Sequence, residues 1–298
     1  MSTLLPTIEA LGTKWWIEIF ADLSPEKAQI INDDLRFFMT EFESKYSRFK
    51  ADSLVSILNT TGRLEPPDPM TLKLLRLGVK LHQDTNGVFN FLVGQTLEHR
   101  GYDANYSFHP KEEPTPTIPD PEVVLSITDN LVELKAGKVD LGGYGKGYLI
   151  DLLVERLKEK HQQPFVLVNG GGDMFGTSDH DEPILIYLEH PTEAGTYIAE
   201  TTLKDQGFAA SSTHKRRWKV AGREYSHIVD TTDNKTSTEN TNARGVYIKA
   251  LSAVIADAWS TTLLISDPSQ HQANLTQANI AHARFNATDN TLEKTTSF

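Results

Sequence analysis

Apolar and polar positions change period several times along the chain, and each change predicts an element. Residues 14 to 20, KWWIEIF, alternate large apolar with polar side chains, the two-residue period of a half-buried strand. The next stretch, SPEKAQIINDDLRFFMTEFESKYSRF, switches to helical spacing through Ile30, Ile31, Leu35, Phe38 and Phe42, behind an N-capping Ser24 and Pro25 at the first helical position. A second amphipathic helix is predicted over MTLKLLRLGVKLHQDTNG, stopped by Asn86 and Gly87. From Tyr102 to Pro121 the period is lost: HPKEEPTPTIPDP carries five prolines in thirteen residues, so a surface loop is expected there. NLVELKAGKVDLGG then suggests a hairpin about a glycine turn, and KGYLIDLLVERLKEKH a helix. PFVLVNGGGDMFG has the continuous apolar run of a buried strand ending in a glycine-rich turn.

Further strands are expected at PILIYLEH, TYIAETTL, GFAASS, REYSHIVD and GVYIKA, a last helix at LSAVIADAWSTTLLIS, and a closing hairpin or strand at ARFNATDNTLEKTTSF. Little helical material separates these strands, so they pair mainly antiparallel, and the predicted class is α+β rather than a regular parallel series.

Length and composition narrow the reading. A chain of 298 residues with 39% hydrophobic content suits one large domain or two closely packed lobes, and residues 1–298 are expected to act as a single domain. The absence of cysteine removes disulfides, thiolate metal sites and cysteine nucleophiles. A formal net charge of -11 disfavours nucleic-acid binding, and the basic cluster HKRRWK, 214 to 219, is expected as a solvated strand or a local anion contact. No apolar run approaches the length of a membrane span, and MSTLLPTIEALGTKWW lacks an export pattern, so a cytoplasmic protein without a membrane span is expected.

The chemistry gathers in four places. DLGGYGKGYLID, 140 to 151, sets four glycines and a lysine ahead of a helix. It is not a Walker A loop, because Gly145-Lys146 is followed by Gly147 rather than Ser or Thr. Nor is it a dinucleotide fingerprint, because the third glycine would fall on Tyr148. Glycines that admit backbone N–H groups to an anion, beside a helix start, still suit a phosphate contact; a tight ligand-free turn fits equally. NGGGD, 169 to 173, is a second glycine-rich turn ending in a carboxylate. Asp257 and Thr261, four apart on the last helix among small residues, present two oxygens on one face. Such a pair suits a hard cation such as Mg²⁺, or an aspartate bonded to a neighbouring loop. His227 in YSHIVD is the best placed histidine for acid–base work, or a structural strand residue.

Taken in order, these segments resemble the FAD:protein FMN transferase family, the ApbE proteins. LGTKWWI is similar to that family's opening strand, YSRFKADSLVSILN to its S-x-F-x-x-x-S...LN segment, and TNGVFNFLVG to its T-x-G-x-F-x-x-x-V-G segment. DLGGYGKGYLID resembles its D-x-GG-x-A-KGY-x-x-D loop, LVNGGGDM its VN-x-GGD turn, YSHIVD its SHI-x-D strand, and ADAWSTTLL its ADA-x-x-T helix. The resemblance implies two α/β lobes with FAD as substrate in the cleft between them. It implies a flavin site built from Asp140, Gly142, Gly143, Lys146, Asn169, Gly171, Gly172, Asp173, Ser226 and His227, with Lys146 in a supporting role. Mg²⁺ would be held by Asp257, Thr261 and a main-chain carbonyl near Gly145. The implied reaction moves FMN onto a threonine or serine hydroxyl of an acceptor flavoprotein and releases AMP, with His227 as the base.

Two departures stand out. Gly145 replaces the family's usual alanine, and FAASSTHKRRW lacks the glycine of its TSG-x-Y strand, which leaves Ser211, Ser212 and Thr213 without assigned roles. An FAD pyrophosphatase giving FMN and AMP, or a flavin carrier without catalysis, would use much of the same pocket. The chain carries no D-x-x-(S/T)-G-A-(S/T) site of its own, so the acceptor is expected to be a separate protein.

Overall fold

The computed structural model describes residues 1–178, 182–193, 195–213, 217–231, 243–286 and 290–298. Strands β1 (Thr3–Leu4) and β2 (Ile8–Ala10) lie along one edge of β3 (Thr13–Ile19). The alternation read in KWWIEIF is kept: Trp15, Ile17 and Ile19 are buried while Trp16 points out. Helix α1 (Pro25–Tyr46) starts where Ser24 Oγ accepts from Lys27 N at 3.3 Å. Its inner face is Ile31, Leu35, Met39, Phe42 and Tyr46, so Ile30, expected inside, is exposed one step off the stripe.

Helix α2 (Leu54–Thr61), strand β4 (Arg63–Leu64), helix α3 (Pro69–Asp84) and the short helices α4 (Gly94–His99) and α5 (Pro121–Val124) follow. Residues 102–120 form neither helix nor strand, as their prolines require. The hairpin expected in NLVELKAGKVDLGG is displaced. Strand β5 (Leu125–Ile127) pairs with β6 (Val132–Leu134), and residues 138–141 leave the ladder. A distant side chain is the cause: Asn59 Oδ1 accepts from Val139 N at 2.7 Å while Asn59 Nδ2 donates to Val139 O at 2.9 Å, so one side chain takes both groups a partner strand would need.

Helix α6 (Gly145–Glu159) precedes β7 (Val166–Gly170) and β8 (Asp173–Gly176), the two arms of the NGGGD turn. Strands β9 (Ile184–Glu189) and β10 (Tyr197–Leu203) form a hairpin outside the main sheet. Strand β11 (Gln206–Ser212) returns to it, and β12 (Arg217–Val220) and β13 (Arg223–Ser226) make a second outlying hairpin. Strand β14 (Ala243–Ala250), helix α7 (Ala253–Ile265), helix α8 (Gln272–Gln277), β15 (Ala281–Asn286) and β16 (Leu292–Lys294) complete the chain.

Among the described residues the main sheet has nine strands in the order β1-β3-β7-β8-β11-β14-β15-β16, with β2 also on β3, and every pairing is antiparallel. This bears out the α+β, mainly antiparallel reading. Helix α6 packs on β7 and β8, and α7 on β11 and β14. The two helices meet at Gly147, where a Cβ would lie 2.4 Å from Ala253 O. Asp151 fixes the same junction by accepting from Ala253 N at 2.8 Å and Val254 N at 3.0 Å, and burial pushes its carboxyl up to about 6 despite those two donors. No helix among the described residues is long and apolar enough to cross a membrane.

Candidate active site

A cleft of about 1600 Å³ opens between the sheet with α6 and α7 on one side and, on the other, residues 47–50, 88–91, 102–108 and β12. Twelve of the residues singled out in the sequence line it: Asp140, Gly142, Gly143, Gly145, Lys146, Asn169, Gly171, Gly172, Asp173, His227, Asp257 and Thr261. Ser226 does not. It is fully buried, and its Oγ accepts from Ile228 N at 3.1 Å, a local turn that ends β13 before His227. His227 therefore sits in a bend on the cleft wall rather than on a strand, 6.3 Å ring to ring from Tyr102.

The DLGGYG turn is built around Asp140. One carboxylate oxygen accepts from Gly142 N at 2.6 Å, and the other is paired with Arg48, both side chains being almost completely buried. The Arg48 guanidinium also donates to Tyr102 O at 2.8 Å and lies 4.1 Å from the centre of the Phe49 ring. The chain then enters α6 with no side-chain cap: Tyr144 stands at the N-cap and Gly145 N donates to Leu141 O at 2.6 Å. Gly145 and Lys146, at the positive end of the α6 dipole, line the cleft, while Gly147 N is taken by Asp257 from α7.

The second turn uses positive φ at Gly171 and Gly172, 74° and 107°, a region that glycine alone enters without strain. Asn169 Oδ1 accepts from Gly172 N at 2.9 Å and holds the turn closed. A Cβ at Gly172 would meet nothing within 4 Å, so this glycine keeps the cleft open rather than permitting a packing contact.

Lys146 joins the two turns to α7. Its Nζ lies 2.6 Å from Asp173 Oδ2 and 3.3 Å from Asp257 Oδ2, while Gly147 N donates to Asp257 Oδ2 at 3.0 Å and Ala210 N to Asp173 Oδ1 at 3.3 Å. Burial alone would lower the lysine, yet the Asp173 and Asp257 carboxylates hold its ammonium above the usual range. Burial pushes the Asp257 carboxyl up to about 6, with Lys146 pulling it down and Asp173 adding repulsion. Two buried carboxylates thus share one ammonium, and Asp257 and Thr261 face the same cleft from one side of α7, as their spacing predicted.

Sequence reasoning missed the facing wall. Tyr102 stacks on Trp218 at 6.0 Å and 18°, Trp218 on Tyr225 at 6.1 Å and 13°, and Phe49 on Tyr106 at 5.1 Å and 18°. Tyr102 and Tyr106 come from the loop with no periodicity, and Arg48 acts from 92 positions before Asp140, so no spacing links them. The basic cluster HKRRWK falls partly outside the described residues, at 214–216. In its described part Arg217 pairs with Glu224 across the β12–β13 hairpin and Trp218 belongs to the aromatic wall. Ser211 and Ser212 also line the cleft, Ser211 Oγ lying 2.8 Å from Ser260 Oγ.

Comparison with known proteins bears on the fold and the family. The FAD:protein FMN transferase of Klebsiella pneumoniae is 22% identical over 295 residues, covering 92% of this chain and 81% of the relative. A crystal structure of the ApbE protein of Thermotoga maritima superposes with a TM-score of 0.86 at 23% identity, covering 100% of this chain and 98% of that one. The apo flavinyl transferase ApbE of Pseudomonas stutzeri does so with a TM-score of 0.79 at 19% identity, covering 100% and 96%. The model of the ApbE family matches residues 11–285, and the chain belongs to that family.

Proposed function

We propose that this protein is an Mg²⁺-dependent FAD:protein FMN transferase, a single domain that moves FMN from FAD to a threonine or serine hydroxyl of an acceptor flavoprotein and releases AMP. One observation carries the reading: two glycine-rich turns, a buried Lys146–Asp173–Asp257 group and His227 face a single cleft. The pyrophosphate would sit between the turns, near the positive end of the α6 dipole and the Lys146 ammonium. The aromatic wall of Tyr102 and Trp218 offers flat apolar faces to the ring systems of the dinucleotide.

The residues fit a hard divalent cation. Asp257, Thr261 and the Gly145 carbonyl supply oxygen only, and the two buried carboxylates exceed the single ammonium between them by one negative charge. Gly145 in place of alanine relieves one tight contact, since a Cβ there would lie 3.2 Å from Leu141 Cβ, and it leaves the main-chain carbonyl in place. Bound there, Mg²⁺ supplies neutralisation of the charge that develops on the divided phosphoanhydride. Lys146 orients and balances the carboxylates. His227 accepts the proton of the acceptor hydroxyl as its oxygen bonds to the FMN phosphorus. The phosphoanhydride P–O bond breaks, and the electron pair leaves on AMP.

The test is incubation with FAD, Mg²⁺ and an acceptor domain, read by intact mass and AMP release. The reading predicts one FMN adduct per acceptor, lost with EDTA and in His227→Ala. AMP released at the same rate without acceptor, and no adduct, would replace it with an FAD pyrophosphatase.

A further inference from the structure

Away from the cleft, three side chains converge where the proline-rich segment ends. His82 in the last turn of α3, Asp120 at the N-cap of α5 and Glu122 in its first turn each offer one ligand atom, all within 4.8 Å of one another. Among the described residues no other group of three or more such side chains comes together in this way.

His82 makes this more than an acidic patch. Its side chain is 9% exposed, and Nδ1 lies 2.8 Å from Phe89 O. A carbonyl oxygen only accepts, so Nδ1 carries the proton and donates. Nε2 then faces Asp120 Oδ1 at 3.4 Å. A neutral imidazole would aim a lone pair at a carboxylate oxygen, an arrangement that calls for a positive charge between them. Two ligands at about 2.1 Å on a tetrahedral ion lie about 3.4 Å apart, and a backbone carbonyl on the far nitrogen is the usual way a metal-binding histidine is oriented. Gln83 Nε2 donates to Glu122 Oε1 at 2.5 Å, which holds the second carboxylate on the same side.

The geometry points to a Zn²⁺-type divalent metal site formed by His82 Nε2, Asp120 and Glu122, with a remaining position open to water. One nitrogen and two carboxylates suit a borderline ion better than Mg²⁺, which takes oxygen alone. The site is structural. It clamps the end of the proline-rich segment to α3 and, through Phe89 O, to a residue of the cleft wall.

The test uses the full chain, stripped with a chelator and titrated with Zn²⁺ by calorimetry, with Co²⁺ absorption reporting nitrogen–oxygen coordination. Because His82 is buried, the exposed Asp120 and Glu122 carry the mutational arm. The expected result is one equivalent of Zn²⁺, weakened at least about tenfold by Asp120→Asn and by Glu122→Gln and retained in Asp257→Asn, with slower proteolysis of residues 102–120 when loaded. Failure of the wild-type chain to bind Zn²⁺, affinity unchanged in both surface variants, or loss of the equivalent in Asp257→Asn alone would overturn the proposal. The first outcome leaves His82 beside Asp120 without a metal, and the last moves the ion into the cleft. None of these readouts depends on flavin transfer.

Discussion

Arg48→Ala is the sharpest probe of how the glycine loop is held. The substitution removes the partner of Asp140, the donor to Tyr102 O and the cation over Phe49 together, and leaves a carboxylate almost fully buried. Breaking a buried pair from one side costs about 3–5 kcal/mol, because the remaining charge stays desolvated. Unfolding entropy of roughly 2.1 cal/mol/K per residue over a chain of this length converts 1 kcal/mol to about 1.6 °C, so the melting temperature should fall by roughly 5–8 °C. Asp140→Asn keeps an acceptor for Gly142 N but strands the guanidinium. The double variant Arg48→Ala/Asp140→Asn removes both charges and should be more stable than the two single losses added, by at least about 1 kcal/mol. Calorimetric unfolding of the four proteins closes the cycle. Strict additivity, or a single-variant loss below about 1 kcal/mol, would mean that the pair does not hold the loop.

Three further outcomes follow from the same structure. Gly145→Ala, whose Cβ would press on the Leu141 side chain at 3.2 Å, should shift the melting temperature less than Gly147→Ala, which should cost about 1–3 kcal/mol because its Cβ would strike Ala253 O; thermal scans of the pair separate them. Arg156, with Lys160 and His161, holds the Asp34 carboxyl well below the usual carboxylate range. A depressed aspartate stabilises the fold above its unfolded pKa and loses that contribution as pH falls below about 4, so Asp34→Asn should flatten the acid limb of stability against pH and leave the limb above neutrality unchanged. Asn59→Ala should destabilise by about 1–3 kcal/mol, measured by denaturant titration, since it deprives Val139 of both backbone partners.

Local grammar carried most of the fold. Ser24 with Pro25, Asn86 with Gly87, and the glycines at 171 and 172 each mark a boundary through a physical requirement that one residue type meets, and the structure turns at each. The two glycine turns and the Asp257–Thr261 pair were legible in turn composition and helix spacing, whereas joining them with His227 in one site was what the family resemblance implied. What escaped was decided by contacts between distant parts of the chain. Asn59 cancels a hairpin 80 positions away, and Arg48 fixes a carboxylate 92 positions away. Neither leaves a period behind. The aromatic wall is the extreme case, because stacking in a proline-rich segment obeys no repeat at all.

The contact of α6 with α7 at Gly147 has a mechanical consequence. Backbones that approach closely enough to exclude a methyl group, and that are tied by the Asp151 carboxylate, cannot slide or rotate without rupture. One side of the cleft is therefore an anvil of fixed shape. Any accommodation to differently shaped guests falls to the opposite side, where residues 102–120 have neither ladder nor helix to resist bending. On the proposed reading, a fixed wall on one side and a wall without regular structure on the other would let a single scaffold hold one small molecule strictly while tolerating variety in the larger body that comes to meet it.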